Sequence, residues 1–316
     1  MGNKERTLFY GKGDVFVYRT YAGKLAGLPT IPESAFTGRD NVIFALNVHF
    51  SVYGDAFFAS FAEGDNRLVV ATDSMKNFIL RHAALYDGCT MEGYLAFVSR
   101  RFLETYTQAD SVCISANRLE FEPTWVPGEN GSGPTESGLV YRHSRNEHAS
   151  AAITACRTET GIELAECSSG INNLHLIKVK GSSFYGFVRD EYTTLPEAKD
   201  RPLYIYLDIG WTYSDLADSL KGEPGKYVPP EQVRDIAHCV FHEFNTPSIQ
   251  NLIFEVGKRI LIRFPQLAEV RFESNNRTWE TIVDDIPASE GKVFTEPRPP
   301  YGFQGFSMTR SDVENE

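Results

Sequence analysis

Long apolar runs are absent from this 316-residue chain, and no window approaches the roughly 20 residues that a membrane-spanning helix needs. A positive balance is absent too. Lys and Arg total 31 against 42 for Asp and Glu, and the net charge of -11 argues against nucleic acid as a partner, because phosphate recognition needs a basic face. Cysteine is scarce and scattered. Cys89, Cys113, Cys156, Cys167 and Cys239 form no CxxC pair, so free thiols in a reducing compartment are expected rather than a disulfide framework. The start, Met1 to Arg6, has no apolar signal run, and the last three residues are no peroxisomal tripeptide; a cytoplasmic location is the expectation. No dinucleotide fingerprint occurs, and Gly11-Lys12-Gly13 is too short for a phosphate loop, which disfavours a flavin or nicotinamide cofactor. His238 and His242 stand four apart, but the glutamate of HExxH and a third ligand are missing, so no metal is expected and both belong on a polar helix face.

What is present is an ordinary globular composition, with 42% hydrophobic and 13% aromatic residues, enough for a sizeable core. Residues 41 to 53 alternate: Val42, Phe44, Leu46, Val48, Phe50 and Val52 share one face, as in a half-buried strand, with residues 8 to 21 as its pairing partner. Helices follow from about Ser74 to Tyr86 and from Thr90 to about Tyr106, then long strands near 109–124 and 138–157 around the Gly-rich loop Gly128 to Gly138. The order then repeats. Strands are expected over 161–180 and 201–213, a helix after Pro229-Pro230, a second helix opening at Thr246-Pro247, and strands near 267–281 and 301–309. Two rounds of strand-strand-helix-helix-strand-strand predict an α+β fold with helices on one face of antiparallel sheets, not a doubly wound one. The boundary between the rounds gives two domains, 1–157 and 158–316. An uncovered sheet face and long edge strands call for an oligomer.

The most informative stretch is Ser183 to Glu197, closed by Asp200-Arg201. It sets aromatic rings beside charged and hydroxyl groups just after a strand, a mixture suited to a flat, anionic, hydrogen-bonding heterocycle. The run resembles the signature segment of urate oxidase (uricase), of bacterial type. Three further segments carry the same resemblance in order along the chain: Tyr10-Gly11-Lys12-Gly13, Val70 to Asn77, and Ser248-Ile249-Gln250. The resemblance implies tandem tunnelling-fold (T-fold) domains, a homotetramer whose sheets join into a barrel, and active sites between subunits. It also implies a cofactor-free oxidase that takes urate, O2 and water to 5-hydroxyisourate and hydrogen peroxide.

On that resemblance Phe184 is expected to stack on the purine and Leu195 to offer a backbone N–H. The Arg201 fork can hold a carbonyl oxygen and a ring nitrogen in one plane. The Gln250 amide can both accept and donate at the opposite edge, and the Ile249 N–H faces an anion from a helix N-terminus. Lys12 and Thr72 form the expected proton relay, a desolvated amine acting as base through a hydroxyl too weak to act alone. Asp73 matches a substrate-binding residue, although Thr72 or Asp73 could equally be a helix cap. Asn276 matches the asparagine that holds water or oxygen above the ring, with neighbouring Asn275 leaving a one-residue ambiguity. Many uricases carry a relay histidine two residues later, where this chain has Thr278. The rival readings are a T-fold enzyme acting on a pterin and a non-catalytic purine-binding protein.

Overall fold

The computed structural model describes residues 7–128, 132–143, 146–277, 281–295 and 299–314. The chain divides into two compact units. The first takes Met1–Thr30, Phe36–Ser169 and Thr212–Val228; the second takes Ile31–Ala35, Gly170–Trp211 and Pro229–Glu316.

In the first unit β1 (Phe9–Thr20) pairs antiparallel with β2 (Ile43–Tyr53), and the expected alternation buries Phe44, Leu46, Val48, Phe50 and Val52. A short α1 (Phe58–Glu63), not anticipated from the sequence, precedes α2 (Thr72–Leu85) and α3 (Met91–Thr105). Thr90 caps α3, its hydroxyl accepting from the Gly93 N–H at 3.1 Å. The two long strands expected at 109–124 and 138–157 are each broken, giving β3 (Ser111–Arg118), β4 (Phe121–Pro127), β5 (Pro134–His143) and β6 (His148–Thr158). The break after β3 is held by a largely buried ion pair between Arg118 and Glu120 and by the Leu119 N–H bonded to the Ala45 carbonyl. β4 and β5 pair with each other in a separate two-stranded sheet, so the expected loop is shortened to end at Pro134. The main strands run β1-β2-β3-β6 and then the first part of β7 (Gly161–Phe184). α3 packs on β3 and β6 and α2 on β1, around Leu46, Phe50, Tyr94, Phe102 and Ile114.

β1 contains a bulge. Lys12 lies opposite Phe50 but Val15 lies opposite Val48, so three residues on β1 span two on β2. Asp14 takes the left-handed conformation there (φ 52°) and its carboxylate accepts from Asn47 Nδ2 at 3.0 Å. The extra residue lets even-numbered Leu8 and Tyr10 and odd-numbered Val15 and Val17 pack against the same core.

The second unit continues β7 and adds β8 (Ala198–Tyr213), α4 (Pro230–Glu243), α5 (Ile249–Arg263), β9 (Leu267–Arg277), β10 (Thr281–Val283), β11 (Val293–Phe294), β12 (Tyr301–Thr309) and α6 (Arg310–Glu314). Its main strand order is β7-β8-β9-β12, with β9 and β12 antiparallel. Leu203, Ile205, Leu207, Ile209 and Trp211 are buried as their alternation predicts, and so is the α5 stripe Leu252, Ile253, Val256 and Ile260, which packs on β9 and β12. α5 does not open at Thr246-Pro247. Ser248 is its cap, accepting from the Asn251 N–H at 3.2 Å, because the Ser248 hydroxyl satisfies a first-turn donor that Thr246 is too early to reach. β1-β2-β3-β6 and β9-β12 pair antiparallel, with helices packed against them, which makes the fold α+β.

Candidate functional site

The expected site residues fall into two groups, one in each unit. The first is built on the β1 bulge and the start of α2. Residues directly opposite in an antiparallel pair point the same way, so Lys12 shares the core-side face of Phe50, on which α2 packs. Gly11 is required there. A Cβ at that position would sit 1.8 Å from the Phe50 carbonyl oxygen. Gly11→Ala is therefore expected to force β1 off β2 beside Lys12 and to cost about 3 kcal/mol or more, read from the denaturant midpoint.

Thr72 is the first residue of α2 and half-buried; Asp73 follows it, exposed. Neither is the cap, since that position belongs to Ala71, which offers no side-chain acceptor. The Asp73 carboxylate is held by Lys76 Nζ at 2.5 Å and by Asn77 Nδ2 at 3.0 Å. Lys76 first, and the charge of Lys12 further, keep its carboxyl below the usual range. The Val70–Asn77 signature thus contains its own support, with Lys76 and Asn77 orienting the acid three and four residues before them.

Tyr10, the first residue of the Tyr10–Gly13 segment, takes a part that its sequence context does not announce. Its hydroxyl accepts from the Val70 N–H at 2.8 Å, and its ring meets Phe57 edge-on with centroids 5.1 Å apart. Lys12 lies two residues after Tyr10, and Thr72 two residues after Val70, so this bond ties the strand bearing one to the helix entry bearing the other. Burial raises the phenol further above neutrality, so it stays protonated. Tyr10→Phe strands the Val70 N–H and is expected to destabilise the fold by about 1–3 kcal/mol, read as a lower denaturant midpoint. An unchanged midpoint would show that this bond does not hold the start of α2 to β1.

The second group gathers at the end of β7 and the start of β8. The Arg201 guanidinium carbon lies 5.5 Å from the Phe184 ring centroid, and Phe187 stacks parallel to Phe184 at 4.8 Å. Arg201 Nε is sealed from solvent and has no hydrogen-bond partner among the described residues. Its desolvation pulls the guanidinium below its ordinary range, the mark of a charge held without a counter-ion. The nearby carboxylates are engaged elsewhere: Asp200 accepts from the Gly181 N–H at 2.6 Å and Glu197 from the Gly186 N–H at 2.9 Å. Asp190 closes its own turn with Tyr192 and Thr193. Leu195 is exposed in the same β7–β8 connection.

Ser183, one residue before Phe184, donates its hydroxyl to the Thr246 carbonyl at 2.9 Å, and both residues are buried. Three residues beyond Thr246, α5 begins at Ile249. This bond draws the ring-bearing end of β7 to the entry of α5. Lys178 adds a second tie, donating to the Phe244 carbonyl at 2.9 Å at the end of α4. With α5 starting at Ile249, the Ile249 and Gln250 N–H groups belong to the first turn, where no carbonyl of the same helix can pair with them. Ile249 is buried and Gln250 exposed.

Asn275 and Asn276 separate on β9. Asn276 stands opposite Gly302, and its Oδ1 accepts from Gln304 Nε2 at 3.4 Å. Gln304 Oε1 in turn accepts from Ser274 at 3.0 Å. Ser274, Phe272 and Val270 form the buried face beneath α5, so Asn276 shares the α5 side and Asn275 points away from it. Thr278 lies outside the described residues. His238 and His242 are both exposed on α4, and no cluster of metal-ligating side chains occurs among the described residues.

Comparison with known proteins gives one consistent result. The uricase family model matches residues 167–304. A uricase of Haloferax volcanii is 53% identical over 97% of this chain and 99% of its own length. A uric acid degradation bifunctional protein of Bacillus subtilis is 53% identical over 99% of this chain, which spans 63% of that protein's length. Among solved structures, a uricase from Bacillus fastidious superposes with a TM-score of 0.94 at 53% identity, covering 98% of this chain and 96% of the other.

Proposed function

Since the chain belongs to the uricase family, we propose that it is a urate oxidase, converting urate, O2 and H2O to 5-hydroxyisourate and H2O2 without a bound cofactor. The observation that carries this is Arg201: a half-buried guanidinium against an aromatic ring, its sealed Nε without a partner among the described residues, beside carboxylates that are already bonded to backbone. A planar anion supplies what that group lacks. Arg201 and Gln250 grip opposite edges of urate, with the Leu195 and Ile249 N–H groups beside them. Phe184 stacks on the ring, and Asp73 and Asn276 complete the surround.

Urate gives a proton to the Thr72 hydroxyl as that hydroxyl passes its own to the Lys12 amine. The resulting dianion gives two electrons to O2, and the proton held by the relay together with one proton from solvent completes H2O2. Water then adds across the neutral oxidised ring, its hydroxide to C5 and its proton to the adjoining ring nitrogen. The protein contributes position, deprotonation and a dry site.

The assembly we propose is a homotetramer of tandem T-fold chains, domains 1–157 and 158–316, with Lys12, Thr72 and Asp73 serving the site of a neighbouring subunit. Exposed Phe16 and Tyr18 on edge strand β1 and Phe303 on edge strand β12 support a covered surface. The test follows urate absorbance and peroxide together on purified protein with and without chelator. Matched urate loss and peroxide, indifferent to chelator, is the expected result. Tight urate binding without turnover would favour the non-catalytic reading.

A further inference from the structure

The face of β7, β8, β9 and β12 that points away from α5 carries a second constellation. Asn173, His175, Tyr206, Asn275, Arg277 and Tyr301 border a cleft of about 720 Å³, within the range of small-molecule sites. Arg277 lies across two rings, its guanidinium carbon 4.6 Å from the Tyr206 centroid and 5.2 Å from that of Tyr301. The His175 ring meets Tyr206 at 4.1 Å. Two polar atoms here are sealed from solvent without a hydrogen-bond partner among the described residues: Arg277 Nε, a donor, and Asn275 Oδ1, an acceptor. Unpaired buried polar groups cost roughly 1–3 kcal/mol each, and a ligand that pairs both recovers that cost.

The ligand is constrained by these atoms. It must accept from Arg277 and donate to Asn275, and it must be flat to lie against tyrosine rings. Asp208 and Glu273 also border the cleft, with Asp208 accepting from the Asn173 N–H at 2.5 Å. Two carboxylates against one guanidinium disfavour a polyanion. A C=O beside an N–H on a planar ring, the lactam edge of an oxopurine, meets all of these demands. We infer that this cleft is a second, non-catalytic oxopurine site, distinct from the Phe184–Arg201 group because it lies on the sheet face opposite α5 and Asn276. Naming urate as its occupant rests on the proposed reaction; the lactam chemistry does not.

The test is equilibrium dialysis of the intact protein against urate with oxygen excluded, so that bound urate is counted rather than consumed. Two urates per chain are expected for the wild type. One is expected for Tyr206→Thr and for Asn275→Leu, the first removing the ring and the second the acceptor while keeping its shape. Both variants should retain peroxide formation within about threefold at saturating urate, which also certifies that they fold. One urate per chain in all three proteins would overturn the cleft and leave the oxidase reading intact. No bound urate and no peroxide in the wild type would overturn both.

Discussion

Arg201→Ala is expected to weaken urate binding by roughly 10²–10³-fold. The wild-type guanidinium is already partly desolvated and its Nε has no partner among the described residues, so part of the desolvation cost is met before substrate arrives. Two charge-assisted hydrogen bonds to a planar anion, each worth about 1.5–3 kcal/mol, then appear almost entirely as affinity. Alanine removes both and leaves the Phe184 ring without its cation. Arg201→Lys is expected to recover only a small part, because an ammonium cannot reach two acceptors in one plane. Isothermal titration with urate under argon measures the effect. A change below about threefold would show that the guanidinium serves the fold and not the substrate.

Lys12→Ala has the complementary signature. The proposed mechanism puts this side chain on the relay and not the clamp, so kcat is expected to fall by about 10²–10⁴-fold, the range of a lost general base, while KM moves only a few-fold. Charge alone is separated from proton acceptance by Lys12→Arg. Arginine keeps a cation near Asp73 but does not give up its proton at neutral pH, so it should fail almost as badly as alanine. Full turnover in Lys12→Arg would make Lys12 an electrostatic support for Asp73 rather than a base. Because the Asp73 carboxylate is held by Lys76 and Asn77 as well, either substitution should leave helix α2 folded, which far-ultraviolet circular dichroism checks.

The sequence revealed most where a single period governs a long segment. The alternation at 42–52 and the stripe of α5 both emerged with their buried faces correct, since one face in water and one in the core leave little choice of register. It revealed least where a local device interrupts the period. Arg118 and Glu120 end β3 through a contact that no periodicity encodes, and β10 and β11 are too short to display one. α5 starts two residues beyond the opening that Thr246-Pro247 offers, because Thr246-Pro247 and Ser248 are both legitimate openings; burial of Thr246, whose carbonyl is taken by Ser183, decides between them. At the candidate site the residue types were legible, but their supports were not. Tyr10 bonds a residue 60 positions away, Ser183 one 63 away, and such pairings exist only in the folded chain. Asn275 and Asn276 could be told apart only once β9 had a face.

The bulge at Gly13-Asp14 places a phase shift in β1. On its two sides residues of opposite parity face the same hydrophobic core, even-numbered before it and odd-numbered after it. Removing that one residue would swing Leu8, Tyr10 and Lys12 together to the far side of the sheet while Val15 and Val17 stayed where they are. The head of the strand, with Leu8, Tyr10 and Lys12, and its tail, with Val15 and Val17, are therefore written in separate frames, and each is free to change its residues without disturbing the parity of the other.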